Sequence, residues 1–296
     1  MGKLKHYLAL ARPSQYLKNG FVWLPILFGE RITDPRSIAY TLLAFAAFCL
    51  MSSTIYVIND FKDREEDRRH PVKKHRPLAS GAIGSREALG MALALCGASL
   101  ALALAGLPAA CAYLLLAYLL LNIAYSQKLK HIAIVDIVCI ALGFVIRIFV
   151  GGAAARIPIS PWIVIMTFLL ALFLALGKRR DDLLLTDQGN QVRKAVDGYN
   201  LEFISLTMGV MASVIIVAYI LYTVSPEVVA KHGTHQLYIT GIWVLLGLLR
   251  YLQITFVQEA SGSPTLILLQ DRLLQTVIGL WLINIFVLLY WVKGQP

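Results

Sequence analysis

The amino-acid sequence predicts an all-α integral membrane protein, a bundle of nine transmembrane helices forming a single domain over residues 1–296. The chain is 58% hydrophobic, its mean hydropathy is +0.69, and only 15% of its residues are charged. A soluble domain carries about 25% charged residues. Apolar runs of about 20 residues, the length that crosses a bilayer, recur along the chain. Together these observations exclude an ordinary soluble protein.

The apolar runs define nine candidate spans, which follow one another with short connections. They cover residues 15–31, 37–58, 87–107, 109–125, 133–153, 161–177, 203–224, 236–257 and 273–293. The third and fourth spans meet at Gly106, Leu107 and Pro108, so these two spans should form a tight helical hairpin. The residues before the first span show no small-residue cleavage site and are not interpreted as a signal peptide.

The distribution of Lys and Arg predicts the orientation of the bundle. If the amino terminus shares one side with the loops after spans two, four, six and eight, 20 of the 27 Lys and Arg residues lie on that side and 5 on the other. The positive-inside rule then places the amino terminus and the charged loops in the cytoplasm of a cell-membrane protein. Contact with anionic lipid headgroups would account for part of the formal net charge of +10.

The stretch NDFKDREEDRRHP, directly after the second span, combines acidic and basic residues. If the helix continues past the span, Asp60, Asp63 and Asp67 lie at about 0°, 300° and 340° around its axis. Three carboxylates on one face repel one another unless a cation lies among them, and Mg²⁺ prefers hard oxygen ligands. We therefore expect a Mg²⁺ site formed by Asp60, Asp63 and Asp67 with the bordering Asn59. The alternative is a helix end of mixed charge.

The residues that follow the acidic stretch predict a phosphate site. Lys73, Lys74 and Arg76 lie in the segment PVKKHRPLASG, which Pro and Gly residues interrupt. Cationic side chains next to a carboxylate-bound Mg²⁺ can together accommodate a diphosphate group.

Further polar residues occur at the same predicted membrane surface or inside the spans. They are Lys18 and Asn19 near the start of the first span, Tyr125, Lys128 and Lys130 at or just after the end of the fourth, Asp136 and Arg147 in the fifth, and Lys178 to Asp182 after the sixth. Ionisable groups within spans are costly and usually face an interior cavity. Interfacial anchoring is the alternative for the basic residues, either at helix ends or near the amino terminus.

Several motifs together resemble the UbiA superfamily of intramembrane prenyltransferases. The pattern NDxxDxxxD at a membrane edge, with nine spans, indicates the superfamily. The segments RPSQYLKN, NDFKDREEDRRHPVKKHRPLASG, YSQKLKHIAIVD, GFVIRIFVGGAAARIPISPW and ALFLALGKRRDDL are similar to its decaprenyl-phosphate phosphoribosyltransferase branch. The similarity extends from about residue 7 to residue 200.

The resemblance implies a function. Members of the branch transfer 5-phosphoribose from phosphoribosyl diphosphate (PRPP) to a polyprenyl phosphate lipid and release diphosphate, for the synthesis of cell-wall arabinan. It implies Mg²⁺ as cofactor, the bilayer as environment and no nucleic-acid partner, and leaves a homo-oligomer open. Asp60, Asp63 and Asp67 would be catalytic. The implied substrate-binding residues are Lys18, Asn59, Lys73, Arg76, Tyr125, Lys128, Lys130, Arg147, Lys178, Arg179 and Asp182. Asp182 stands where many members have Glu, which shortens its reach.

Two other functions are consistent with parts of the sequence. A UbiA-type enzyme that moves a polyprenyl group from its diphosphate to an aromatic acceptor would bind Mg²⁺ and diphosphate in the same way. Such enzymes usually have a second Asp-rich motif after the sixth span. The more basic KRRDD occupies that position here. A membrane transporter would place ionisable groups near the bilayer midplane and break its helices in two repeated halves. The charges of this chain instead cluster at one interface.

Overall fold

The computed structural model describes residues 2–69, 73–187, 198–260 and 262–291. Within these ranges every regular element is helical. The chain divides into two compact units, one comprising Met1–Gln127 with Ile146–Ile159 and the other Lys128–Val145 with Ser160–Pro296. Residues 70–72 and 188–197, which belong to the region of predicted similarity, lie outside the described residues.

Thirteen α-helices are numbered here in chain order over the described ranges. They are α1 (Gly2–Ala11), α2 (Leu24–Phe28), α3 (Pro35–Lys62), α4 (Arg64–Arg69), α5 (Ser85–Gly106), α6 (Ala109–Gln127), α7 (Val135–Ala155), α8 (Pro161–Asp187), α9 (Leu201–Val224), α10 (Pro226–His232), α11 (Gly241–Phe256), α12 (Pro264–Gln270) and α13 (Arg272–Tyr290). Short 3₁₀ helices cover Pro13–Trp23, Lys73–His75, Leu129–His131 and Gln236–Thr240.

The structure confirms eight of the nine predicted spans and corrects the first. Among the described residues, eight helical segments are long and apolar enough to cross a membrane. The region predicted as the first span, residues 15–31, is instead a 3₁₀ helix, Pro13–Trp23, followed by the five-residue α2. Pro25, which lies inside this segment, has no backbone N–H to donate, which disfavours one continuous α-helix through it.

Helix α3 is the central element of the first unit. Its residues Phe48 and Met51 are fully buried and pack with Leu115 of α6 in one apolar cluster. The hydroxyl of Ser99 on α5 donates to the carbonyl oxygen of Ala47 at 2.7 Å, which brings α5 close against α3. This packing fixes the helix that carries the acidic stretch.

A glycine allows the 3₁₀ helix to approach α7 closely. A Cβ atom on Gly151 would lie 2.1 Å from the carbonyl oxygen of Val22, far inside van der Waals contact. Because that oxygen belongs to the backbone, only glycine permits the observed packing. The close approach positions the segment that contains Lys18 and Asn19.

The core of the second unit forms around α8. Phe173 and Leu176 of α8 are buried with Ile204 and Met208 of α9 and with Tyr251 of α11. The rings of Phe173 and Tyr251 are 5.3 Å apart between centroids and tilted, a favourable aromatic arrangement. The packed part of α8 therefore fixes the position of the charged residues at its carboxyl-terminal end.

Side-chain caps set where several helices begin. The Asp34 carboxylate accepts hydrogen bonds from two backbone N–H groups at the start of α3, where Pro35 occupies the first position. Asn200 caps α9 and Asp271 caps α13 in the same manner. Such caps satisfy N–H groups that have no partner within the helix.

Candidate active site

The helical path continues through the acidic stretch beyond the end of α3. The N–H of Asp63 donates to the carbonyl oxygen of Asn59 at 2.9 Å, and the N–H of Asp67 donates to that of Asp63 at 2.8 Å. The i to i−4 pattern therefore passes across Asp63, which is the carboxyl-terminal cap of α3, into α4. Asp60 and Asp67, two turns apart, consequently remain on one side of the chain.

Arg76 joins Asp60 and Asp67. One of its nitrogens, Nη1, lies 3.1 Å from Asp60 Oδ1 and 2.7 Å from Asp67 Oδ2. Both carboxylates are buried, with 3% of Asp60 and 4% of Asp67 exposed. The structure therefore brings together three of the predicted site residues, two acidic and one basic. Asp63, which lies between Asp60 and Asp67 in the chain, is half-buried.

Arg12 is a second cation at Asp60, and sequence reasoning did not select it. Its Nη2 lies 2.5 Å from Asp60 Oδ1, and its guanidinium carbon lies 5.3 Å from the centre of the Tyr56 ring. The backbone of Arg12 has φ of 53° and ψ of 58°, in the left-handed region. The motif RPSQYLKN contained Arg12, but no periodicity relates a residue before the first predicted span to the end of the second.

The end of α3 is also attached to the end of α6. The side-chain oxygen of Asn59 accepts a hydrogen bond from the Ser126 hydroxyl, and the Lys62 ammonium donates to the Ser126 carbonyl oxygen. Tyr125, the predicted pocket residue, is half-buried next to Ser126. Asn59 thus has a structural role here in addition to the predicted one.

The residues present fit a divalent cation held partly by substrate. Over the ranges that the structure describes, no group of three or more His, Cys, Asp or Glu side chains is arranged to hold a metal ion. Mg²⁺, however, usually keeps several waters and binds through one or two carboxylates together with substrate phosphates. Asp60 and Asp67 already share a cationic partner in Arg76. Their oxygens are the donor set that such an ion requires.

Two predicted lysines of the first unit lie on the elements next to this cluster in sequence. Lys18 is half-buried in the 3₁₀ helix that follows Arg12. Lys73 is half-buried at the start of the turn that leads to Arg76, and the N–H of Arg76 donates to its carbonyl oxygen at 2.9 Å.

Arg147 forms a separate buried network within the first unit. Its Nε donates to the side-chain oxygen of Asn19 at 3.0 Å, and Nη2 donates to the Tyr118 hydroxyl at 2.9 Å. The guanidinium carbon lies 4.7 Å from the ring centre of Phe48 and 4.9 Å from that of Tyr118. Only 4% of Arg147 is exposed. These contacts stabilise a cation inside the unit through aromatic faces and neutral oxygens.

The second unit contains its own buried acidic–basic cluster. Nε of Arg179 lies 2.8 Å from Asp136 Oδ2, with 1% of each side chain exposed. Nη1 of Arg179 also donates to Asp182, which is 16% exposed. Asp182 therefore orients Arg179, a role consistent with its short reach. The predicted alternative, in which Arg179 extends to the membrane surface, is wrong because the guanidinium is buried.

Tyr199 completes this cluster and was not predicted. Its hydroxyl donates to Asp136 Oδ1 at 2.6 Å and accepts from the N–H of Ile134 at 2.6 Å. Burial, together with the hydrogen bond to Asp136, raises the pKa of Tyr199 above its ordinary value. The phenol consequently remains a donor that fixes the Asp136 carboxylate. No sequence pattern linked Tyr199 to a residue 63 positions earlier.

The remaining basic residues of the second unit differ in exposure. Arg180 is buried, donates to the carbonyl oxygen of Thr255 at 2.6 Å and lies over the ring of Phe256. Lys130 is 7% exposed. Lys178 is half-buried and Lys128 is exposed. Arg180 is therefore a packing residue, whereas Lys128 and Lys178 reach the surface of their unit.

Comparisons with known proteins extend this description. The sequence profile of the UbiA prenyltransferase family matches residues 22–265. The decaprenyl-phosphate phosphoribosyltransferase of Corynebacterium glutamicum is 32% identical over 290 residues, 94% of this chain and 85% of that protein. The protein of the same name from Mycolicibacterium smegmatis is 33% identical over 95% of this chain and 91% of its own length.

A solved structure supports the fold independently. A UbiA homolog from Archaeoglobus fulgidus, bound to GPP and Mg²⁺, superposes with a TM-score of 0.72 at 21% identity, covering 96% of this chain and 99% of that one. The match between the family profile and most of the chain decides the assignment. The chain belongs to the UbiA prenyltransferase family.

Proposed function

We propose that this protein is a Mg²⁺-dependent transferase that moves 5-phosphoribose from PRPP to a polyprenyl phosphate and releases diphosphate. The observation that carries the proposal is the buried cluster of Asp60, Arg76 and Asp67, which offers both carboxylate oxygens for a divalent cation and a guanidinium for phosphate. The relatives from Corynebacterium glutamicum and Mycolicibacterium smegmatis, which are similar over more than nine-tenths of the chain, bear the name decaprenyl-phosphate phosphoribosyltransferase. That name supports the choice of donor and acceptor.

In this proposal the residues of the acidic stretch and of the turn that follows it each have a defined role. Asp60 and Asp67 would hold the ion, with Asp63 and Asn59 next to them in the same stretch. Mg²⁺ held there would supply positive charge to offset that of the leaving diphosphate. Arg76 binds diphosphate oxygens through its fork of N–H groups, and Lys73 adds charge from the same turn.

In the second unit, Arg179 is the proposed phosphate-binding group. Asp136 and Asp182 fix its guanidinium, so that the side chain enters the reaction already oriented. Lys128, Lys130 and Lys178 are proposed as further contacts to phosphate oxygens. Three further residues, all in the first unit, are also proposed to bind substrate: Lys18, Tyr125 and Arg147.

The reaction needs no strong base. A polyprenyl phosphate oxygen is anionic at neutral pH and attacks the anomeric carbon of the ribose. The new carbon–oxygen bond forms as the bond to diphosphate breaks, with inversion and an oxocarbenium-like transition state. Positioning of the two substrates and stabilisation of the departing charge supply the catalysis.

The proposal includes an orientation in the membrane. The amino terminus and the loops rich in Lys and Arg face the cytoplasm of a cell membrane, as the positive-inside rule predicts. PRPP, a highly charged and water-soluble donor, then reaches the Asp60 cluster from the cytoplasm. The lipid acceptor enters from the bilayer.

The test uses the purified full-length protein with labelled PRPP and a panel of polyprenyl phosphates, with Mg²⁺ or with a chelator. A labelled lipid that forms only with Mg²⁺ is the expected result. Asp60→Asn, Asp63→Asn and Asp67→Asn should each reduce the rate at least about 100-fold. Glu66→Gln, an exposed acidic position in the same stretch, should not. Full activity of Asp60→Asn would overturn the assignment. Product formed from an isoprenyl diphosphate and an aromatic acid would favour prenyl transfer instead.

A further inference from the structure

We propose that Arg12 competes with the divalent cation for Asp60 and, once displaced, binds the diphosphate group. This inference rests on the proposed function and adds a residue to its site. Arg12 would thus couple the binding of metal to the binding of substrate.

The competition follows from the atoms involved. Asp60 Oδ1 contacts Nη2 of Arg12 at 2.5 Å and Nη1 of Arg76 at 3.1 Å. A carboxylate oxygen has two lone pairs, and two guanidinium groups therefore occupy both. A metal ion that binds through this oxygen must displace one guanidinium, and one that binds through Oδ2 alone is still repelled by the two guanidinium groups next to it.

Arg12 and Arg76 are held differently. Arg76 lies between two carboxylates, because it also contacts Asp67 at 2.7 Å. Arg12 contacts Asp60 and the face of Tyr56. A guanidinium can keep its contact with an aromatic face while its N–H groups change partner. The Tyr56 ring therefore provides a support on which Arg12 can turn away from Asp60.

The backbone keeps Arg12 at the site during such a change. The carbonyl oxygen of Ala11 accepts a hydrogen bond from the Ser53 hydroxyl at 2.8 Å, and Ser53 also hydrogen-bonds the Tyr16 hydroxyl at 2.8 Å. Arg12 itself adopts the left-handed conformation, which is uncommon for a residue with a side chain and is often found at functional sites. Its side chain is 27% exposed, so the guanidinium can reach a ligand outside the core.

Charge balance gives the guanidinium its second task. The carboxylates of Asp60 and Asp67 balance the guanidinium groups of Arg12 and Arg76 before any ligand binds. A divalent cation adds positive charge, and a diphosphate group adds several negative charges. The displaced guanidinium then has a new anionic partner only when diphosphate is present. Metal and diphosphate should consequently bind with positive coupling.

The experiment measures Mn²⁺ binding to the full-length protein by the electron paramagnetic resonance signal of free Mn²⁺, with and without inorganic diphosphate. Arg12→Gln should bind Mn²⁺ alone about 10-fold more tightly, because a competing cation is gone. The increase in Mn²⁺ affinity caused by diphosphate should fall by about 10-fold. Lys5→Gln removes the same charge from an exposed position of α1 and should match the wild type. Unchanged or weaker binding of Mn²⁺ alone to Arg12→Gln would overturn the proposal.

A second variant covers a failure to fold. If Arg12→Gln shows no cooperative thermal transition, Arg12→Lys is measured instead. Lys lacks the planar fork and stacks less well on Tyr56, so Mn²⁺ alone should bind about 3-fold more tightly than in the wild type. No change in this variant would count against the proposal. Loss of the proposed function would appear differently, as a wild-type protein that binds Mn²⁺ and diphosphate but transfers no phosphoribose.

Discussion

Asp136→Asn tests how strongly the buried cluster of the second unit stabilises the fold. Asp136 and Arg179 lie 2.8 Å apart and are each 1% exposed as side chains. The substitution keeps the shape of the side chain but leaves the guanidinium with Asp182 as its remaining carboxylate contact in the cluster. Removing one partner of a buried ion pair costs about 3–5 kcal/mol. Since Asp182 compensates in part, we expect the free energy of unfolding to fall by about 3 kcal/mol, the lower end of that range.

Thermal unfolding of the purified protein measures this loss. A change of 1 kcal/mol shifts the melting temperature of a chain of this size by roughly 2–4 °C, so Asp136→Asn should lower the melting temperature by about 6–12 °C. Asp182→Asn is the matched control, because Asp182 contacts the same guanidinium at 16% exposure. It should cost about 1 kcal/mol. Equal effects of the two variants would refute the reasoning from burial.

A double-substitution cycle separates the pair from its surroundings. Asp136→Asn combined with Arg179→Met should destabilise less than the sum of the single changes, with a coupling energy of about 1–3 kcal/mol. Additive effects would show that the two side chains do not interact energetically.

Tyr199→Phe tests the hydrogen bond that supports the same cluster. Loss of the hydroxyl should cost about 1–2 kcal/mol, since Asp136 loses a buried donor. Because the folded protein raises the pKa of Tyr199, its contribution to stability is complete below about pH 10 and is lost as the pH rises further. Tyr199→Phe should therefore reduce the loss of stability in alkaline solution. An unchanged alkaline profile would contradict the role assigned to this phenol.

Two further predictions concern the helices that frame the clusters. Gly151→Ala should destabilise the protein by about 2–3 kcal/mol, because its Cβ would meet the carbonyl oxygen of Val22 at 2.1 Å. Gly209→Ala in α9 is the control, because its Cβ would meet nothing within 4 Å. This variant should be neutral or stabilising by up to about 1 kcal/mol. Asp271→Asn keeps the cap of α13 but removes the ion pair with Arg250 at 2.5 Å, which lowers the pKa of Asp271. Wild-type stability should therefore fall as the pH drops below about 4, and this variant should show a smaller fall in a pH series of melting temperatures.

The sequence predicted the elements of the fold wherever one local property determines them. Hydropathy alone located the eight confirmed spans, because a bilayer requires a continuous apolar length. The first predicted span was wrong in its conformation, since average hydropathy does not register the geometry that Pro25 imposes inside it. Its close packing on Gly151 is likewise a tertiary feature.

The same distinction applies to the candidate site. The spacing of Asp60 and Asp67 follows from helical periodicity, so a local rule found it. Arg12 and Tyr199 contact their aspartates across 48 and 63 positions, distances that only the folded chain brings together. The positions of Lys and Arg in the sequence predicted that positive charge gathers at one membrane surface. They could not predict which cation contacts which carboxylate.

The energetics of buried ion pairs support the proposal that these clusters serve function rather than stability. Replacing a buried pair by well-packed apolar side chains is often neutral or even stabilising, so stability alone gives no reason to keep Asp60 with Arg76 or Asp136 with Arg179 inside an apolar protein. Both pairs lie in or directly beside membrane-spanning helices, where ionisable groups are most costly and apolar replacements would pack readily. A substrate that carries phosphate and arrives with a divalent cation requires preformed charge of both signs. The proposed phosphoribosyl transfer gives a reason that packing does not.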